Sequence, residues 1–284
     1  MNREYSTGHN FVWSAREKVT GGPVVPVRSH DPMPAVSRVV VLVHGYNNTQ
    51  RAARASYDAF LANAAGAAVG TFWPVAEFYW PGDKPWGPFS GLSYPLEIKS
   101  AQDAAHELCV FLRTLLGPGG APVEVAFVSH SLGGRLLLEL LDEARQAGPR
   151  LIVPAVCMMA PAVPIRRVDA GGVLRAAAEV ARRAIVFHSE HDTVLKWAFR
   201  LGQFAAGEGF FSRAVGRFGE PRIGLWAASI ETSHNHGDYW SAADCADEVS
   251  RQLGAAPDRR ILTRARLAHE TPVNNDPGAR TLGN

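Results

Sequence analysis

Ser131 stands in the run Ser129-His130-Ser131-Leu132-Gly133-Gly134. A serine on so tight a turn from a strand into a helix projects its hydroxyl out of the fold. Its neighbours two positions to either side must then be small, because backbone passes close to backbone. Here they are Ser129 and Gly133, giving S-x-S-x-G in place of G-x-S-x-G. The helix start behind Ser131 adds partial positive charge and N–H groups that suit an oxyanion. A helix-capping serine is the plain alternative. Capping explains neither the small residue before Ser131 nor the Gly133-Gly134 pair in the first turn. The chemistry offered is nucleophilic: a hydroxyl attacks once a base removes its proton, and an imidazole is the usual base. An acid that orients the ring and stabilises the imidazolium completes such a site.

The elements that must position these groups alternate along the chain. RVVVLVHG (38–45) reads as a strand buried on both faces. Tyr57, Phe60, Leu61 and Ala64 recur at helical spacing and predict a helix over roughly 50–65. VAEFYW (75–80) is a second strand, and Ile98 to Leu115 steps by threes and fours as a second helix. Strand 123–129 runs into a helix from Leu132 to Ala147, followed by strand 151–160, in which Pro154 removes a ladder donor. A short helix near 173–183, strand 184–189, a helix from Val194 to Phe204, strand 223–230 and a closing helix Tyr239–Leu253 complete the pattern. Alternation of this kind predicts an α/β fold with a mostly parallel, doubly wound sheet whose functional loops lie at the carboxyl ends of the strands. Three regions follow: a polar segment 1–37 with short β pieces at best around Val24–Val27, the α/β domain 38–253, and a polar tail 254–284.

Four stretches together resemble the α/β-hydrolase superfamily, in its esterase/lipase-like branch with an H-G-Y-N loop. They are VVVLVHGYNNT (39–49), FVSHSLGGRLLLELL (127–141), VFHSEHDTVL (186–195) and SHNHGDYW (233–240). The resemblance covers roughly residues 38–253 and implies a serine, an acid and a histidine in that chain order, with neither metal nor organic cofactor. Asp192, 192 − 131 = 61 residues after the serine and just past strand 184–189, matches the acid. Its rival is Glu190, and its plain reading is a helix cap, since capping and catalysis compete for one carboxylate. His236, 236 − 192 = 44 residues further on, matches the base, with His234 as rival. Asp238 reads better as a helix cap than as an acid. The family's loop also offers the backbone N–H of the residue after Gly45, so Tyr46 would pair with the N–H of Leu132 as the oxyanion hole. The plain reading of His44-Gly45-Tyr46-Asn47 is an Asx-type turn.

The 284 residues carry 29 Lys+Arg against 27 Asp+Glu, a net charge of +2 without a basic stripe, so nucleic acid is not an expected partner. The longest apolar stretch, Leu151–Ile165, is interrupted by Pro154, Pro161 and Pro164, so no membrane span is expected. Cys109, Cys157 and Cys245 match neither a zinc motif nor a disulfide framework, and with the charged start MNREYSTGHNFVW they predict a cytoplasmic protein. His188, His191, His234 and His236 could converge on zinc, but no H-E-x-x-H helix is present and a triad accounts for them better. The aromatics Trp86, Phe89 and Tyr94 in loop 80–94, with Phe204, Phe210, Phe211 and Phe218, are candidates to wall a pocket or simply to cover the sheet. No insertion between Ala160 and Asp192 is long enough for a large lid, so an open site is expected. The reading is a serine hydrolase acting on a small-molecule carboxylic ester. A non-catalytic small-ligand binder and an acyltransferase using the same residues remain the alternatives.

Overall fold

The computed structural model describes residues 10–31, 36–64, 69, 73–83, 90–148, 151–197, 199, 213–220 and 224–254. Valine-rich runs with no polar face can only be satisfied deep inside a sheet. Val39–Val43 are fully buried, as are Val75, Ala76, Phe78, Ala126, Phe127 and Val128. They belong to β3 (Arg38–Val43), β4 (Val75–Tyr79) and β5 (Glu124–His130). These are flanked by β1 (Asn10–Arg16), β2 (Val24–Ser29), β6 (Val156–Met159), β7 (Ala184–His188) and β8 (Ala228–Glu231). The eight strands run in the order β2-β1-β4-β3-β5-β6-β7-β8. Only the β1–β2 pair is antiparallel. This is the α/β-hydrolase architecture.

The helices are α1 (Gln50–Asn63), α2 (Ser90–Leu112), α3 (Leu132–Gln146), α4 (Ile165–Val168), α5 (Arg175–Ala178), α6 (Val215–Phe218) and α7 (Ala243–Gly254). The chain leaves β3 through α1 toward β4 on one side. From β5 it leaves through α3 toward β6 on the other. Right-handed crossovers of opposite direction put α1 and α3 on opposite faces of the sheet. Accordingly α2 packs along α3, and α1 packs against α7. The reversal makes the carboxyl ends of β3 and β5 a topological switch point, where α/β sheets open a crevice. Val43 lies beside Ser129 in the ladder, so His44 and His130 leave the sheet as neighbours.

Several elements differ from their predicted extents. The segment 1–37 supplies two strands of the same sheet, with Trp13 fully buried and β1 running parallel to β4. Ser14 and Arg16 sit at buried positions of β1, and polar residues there hide a strand from pattern reading. The strand predicted at 151–160 shrinks to Val156–Met159, leaving Pro154 outside the ladder while Ile152 makes an isolated bridge to Glu124. The strand predicted at 223–230 becomes Ala228–Glu231, because Gly224 takes a left-handed φ of 49° and breaks the extended run. The predicted helix 173–183 is one turn, α5. The closing helix begins at Ala243, after an extended Ala242 and a 3-10 turn at Tyr239–Ser241. Only α4 and α5 lie between β6 and β7, so no lid domain intervenes there. The tail 255–284 lies outside the described residues. Among those residues no helix is long and apolar enough to cross a membrane.

Candidate active site

Ser131 occupies φ 53°, ψ −123°, a conformation that costs a non-glycine residue free energy and persists only where its surroundings impose it. The surroundings do so through hydrogen bonds. Its N–H donates to the Met159 carbonyl at 3.0 Å, and its own carbonyl accepts from Gly134 N–H at 3.0 Å and Ala162 N–H at 2.9 Å. The small residue after the serine has an equally direct cause. A Cβ on Gly133 would meet the His44 carbonyl oxygen at 2.5 Å and that of Val43 at 2.7 Å. The helix start can therefore lie against the end of β3 only with glycine there.

The hydroxyl so presented meets the histidine that the last loop delivers. Ser131 Oγ lies 2.8 Å from His236 Nε2, and His236 Nδ1 lies 2.6 Å from Asp192 Oδ2. With Nδ1–H donating to the carboxylate, Nε2 is left to accept the serine proton. Asp192 is completely buried, and its two oxygens divide the work: Oδ2 receives the imidazole while Oδ1 accepts Leu195 N–H at 2.8 Å. One carboxylate thus accepts both a helix-start N–H and an imidazole, contacts that the sequence poses as competing uses. The rivals point elsewhere. His234 Nε2 lies 2.9 and 3.0 Å from the two oxygens of Asp244, and Glu190 is exposed. Asp238 precedes the turn at Tyr239 but caps nothing with its side chain; its carboxylate accepts Asn235 N–H at 3.1 Å.

The four histidines considered as zinc ligands do not converge, since His236 and His234 are engaged as just described. Among the described residues the one group with metal-ligand character is His234, Asp244 and Cys245, whose ligand atoms lie within 4.8 Å of one another. Its imidazole nitrogen is already shared between both oxygens of Asp244.

Two further histidines, read from sequence only as neighbours of the motifs, are structural parts of the site. His130 Nε2–H donates to the His236 carbonyl at 2.7 Å, with the two rings 4.8 Å apart. His44 donates from Nδ1 to the Gly45 carbonyl at 2.9 Å and accepts Trp80 N–H at Nε2 at 3.3 Å. The Trp80 indole stacks on it at 5.4 Å and donates to its carbonyl at 3.0 Å. Burial holds His44 down to about 4, from an ordinary 6.5. For His130, burial and then the charge of a protonated His236 hold it down to about 3.

Both rings are thus neutral in the folded chain near pH 7 and return to an ordinary value on unfolding. The unfolded chain binds more protons below about pH 6.5, so folding stability present above that pH is lost as pH falls toward 4. Each ring contributes a slope of up to about 1.4 kcal/mol per pH unit in that window. Urea unfolding midpoints are expected to fall steadily from pH 7 to pH 5; a flat profile would contradict the buried neutral imidazoles.

The loop after β3 passes directly over the serine. A Cβ on Gly45 would meet Ser131 Cβ at 2.8 Å. Asn47 follows in the left-handed region at φ 57°, and Asn48 Nδ2 donates to the Tyr46 carbonyl at 3.0 Å. Tyr46, Ser131 and His236 open onto a cavity of about 390 Å³ whose apolar wall includes Leu195, Phe199 and Trp240. Leu195 and Trp240 fall inside the segments 194–204 and 239–253 that the sequence predicts as helices, and a helix prediction cannot tell a core contact from a cavity wall. Of the predicted wall, Trp86, Phe89, Phe204, Phe210 and Phe211 lie outside the described residues, and Tyr94 falls within α2. Phe218 does not line this cavity; the guanidinium groups of Arg213 and Arg217 lie 4.1 and 4.8 Å from its ring.

Residues 28–216 match a protein family described as alpha/beta hydrolase of unknown function (DUF900). The chain belongs to that family. Solved structures with a similar chain trace include a hyperthermophilic esterase from the archaeon Pyrobaculum calidifontis. It is 14% identical, with 82% of this chain and 78% of that one covered at a TM-score of 0.41. Esterase B from Lactobacillus rhamnosis is 11% identical, with coverage of 86% and 83% and a TM-score of 0.40. An esterase/lipase from an uncultured bacterium is 13% identical, with coverage of 81% and 78% and a TM-score of 0.38. Comparison with curated protein sequences finds no match.

Proposed function

We propose that this chain is a serine hydrolase that cleaves a carboxylic ester through an acyl-enzyme. The observation that carries the reading is the continuous relay from Asp192 through His236 to Ser131, at 2.6 and 2.8 Å. Ser131 Oγ attacks the ester carbonyl while His236 Nε2 takes its proton. The N–H groups of Tyr46 and Leu132 receive the oxygen that becomes negative. Leu132 opens α3, so its N–H has no carbonyl one turn back within the helix. One such donor is typically worth about 3 kcal/mol in the transition state. As the tetrahedral centre collapses, His236 returns the proton to the leaving alcohol. Water then enters by the same route, loses a proton to His236 and releases the acid, restoring the serine.

The apolar wall of Leu195, Phe199 and Trp240 supports a small ester with an apolar portion as substrate. The free and buried Cys109, Cys157 and Cys245 support a reducing, cytoplasmic setting. A fluorophosphonate probe, in which the serine oxygen displaces fluoride at phosphorus, tests the reading. It is expected to label the wild-type chain and to leave Ser131→Ala unlabelled. A wild-type chain that resists the probe would favour the small-ligand binder instead.

A further inference from the structure

Arg16 is far from Ser131 in sequence, sits at the end of β1, and is an unusual residue to find buried in a sheet. Its side chain is 1% exposed and that of its partner Asp83 is 4% exposed, with Nη2 and Oδ1 2.7 Å apart. The guanidinium spends its other protons on backbone. Nε donates to the Lys18 carbonyl at 2.8 Å, Nη2 to the Val19 carbonyl at 2.8 Å, and Nη1 to the Trp80 carbonyl at 3.4 Å. Two of the segments gathered in this way are themselves bonded to the loop above Ser131. The Gly82 carbonyl, between Trp80 and Asp83, accepts Asn47 N–H at 2.7 Å. The Val19 carbonyl accepts Gln50 N–H at 3.4 Å. Both ends of residues 47–50 therefore rest on backbone that Arg16 holds.

Stability alone does not account for such a pair. Burial pushes the Asp83 carboxyl up and the Arg16 guanidinium down, against their mutual attraction. Apolar residues of similar volume in place of a buried ion pair are often neutral or stabilising. Geometry is what they could not supply: a planar fork that reaches three carbonyls and a carboxylate at once.

We propose that the Arg16–Asp83 ion pair is a positioning device for the oxyanion loop, fixing the Tyr46 N–H over Ser131 by clamping the 17–22 and 80–83 segments on which that loop rests. The inference builds on the ester-hydrolase reading. Arg16 and Asp83 touch no reacting atom; they act through Gly82 and Val19 on the backbone of Asn47 and Gln50.

The test compares wild type with the double variant Arg16→Met/Asp83→Leu, which removes both charges together and leaves none buried alone. Asp83→Asn serves as a second variant that retains an oxygen facing Arg16. Amide hydrogen exchange over residues 45–50 reads the clamp without reference to catalysis. Exchange there is expected to rise about 10-fold or more in the double variant while core strands β3 and β5 stay protected. With p-nitrophenyl acetate, kcat is expected to fall about 10- to 100-fold, up to the loss of a whole oxyanion donor. KM and the pH midpoint of kcat should stay unchanged, since contacts of His236 are intact. Asp83→Asn, which leaves the guanidinium without its counter-charge, should raise exchange at 45–50 and lower kcat in the same way, and it decides the matter should the double variant not fold. Folded variants with wild-type exchange at 45–50 and wild-type kcat overturn the proposal. A rise in exchange throughout the chain overturns it too, because that marks a general stabiliser. Should the wild-type chain hydrolyse no ester, the ester-hydrolase reading fails, and the exchange result still decides the clamp.

Discussion

Replacement of His236 by alanine is expected to lower ester turnover by about six orders of magnitude, whereas His234→Ala keeps most of it. The two residues are two positions apart in the same loop, so composition and local order barely distinguish them. Their partners do. His236 spans Ser131 Oγ and Asp192 Oδ2, while His234 is held by the exposed carboxylate of Asp244. Without the His236 imidazole the serine proton has no base of ordinary strength, because the adjacent His130 ring spends its Nε2–H on the His236 carbonyl and burial holds it down to about 3. Initial rates with a p-nitrophenyl ester check both variants. Full activity in His236→Ala would move the base elsewhere.

Asp192→Asn is the second change expected to act strongly, and it separates two roles of one side chain. An asparagine can still accept Leu195 N–H, as Oδ1 of Asp192 does now at 2.8 Å, so the melting temperature should stay near that of the wild type. The amide cannot hold the imidazole in the tautomer that leaves Nε2 free, and kcat is expected to fall about 10⁴-fold. Asp192→Ala should lose the same activity and about 1 kcal/mol of stability besides, because the cap goes as well. Urea melts alongside kcat measurements distinguish these outcomes. Equal stability of the Asn and Ala variants would show that the cap contributes nothing.

Much of the architecture is legible in the sequence because the inner strands carry mainly apolar, β-branched residues. The runs VVVLV and VAFV admit no exposed face, and each ends at a turn that carries glycine, HGYNN after the first and SHSLGG after the second. The strand ends that bear Ser131, Asp192 and His236 could be located in this way. Strand β1 was less accessible, since its buried Arg16 finds its counter-charge in Asp83, 67 positions away. No local pattern announces so distant a partner. For the same reason His44 and His130 gave no sign of being neutral and buried. Their state is set by burial and by carbonyls of Gly45 and His236, which only the folded chain brings near. Asp192 illustrates a different limit: pattern reading offers cap or acid as alternatives, and a carboxylate with two oxygens can serve both.

The most direct measurement is the intact mass of the protein quenched early in its reaction with a p-nitrophenyl ester, followed by peptide mapping. One acyl group per chain is expected, formed with an equivalent burst of p-nitrophenolate and located on Ser131. An ester turned over with no acylated species, or with the acyl group on another residue, would contradict it.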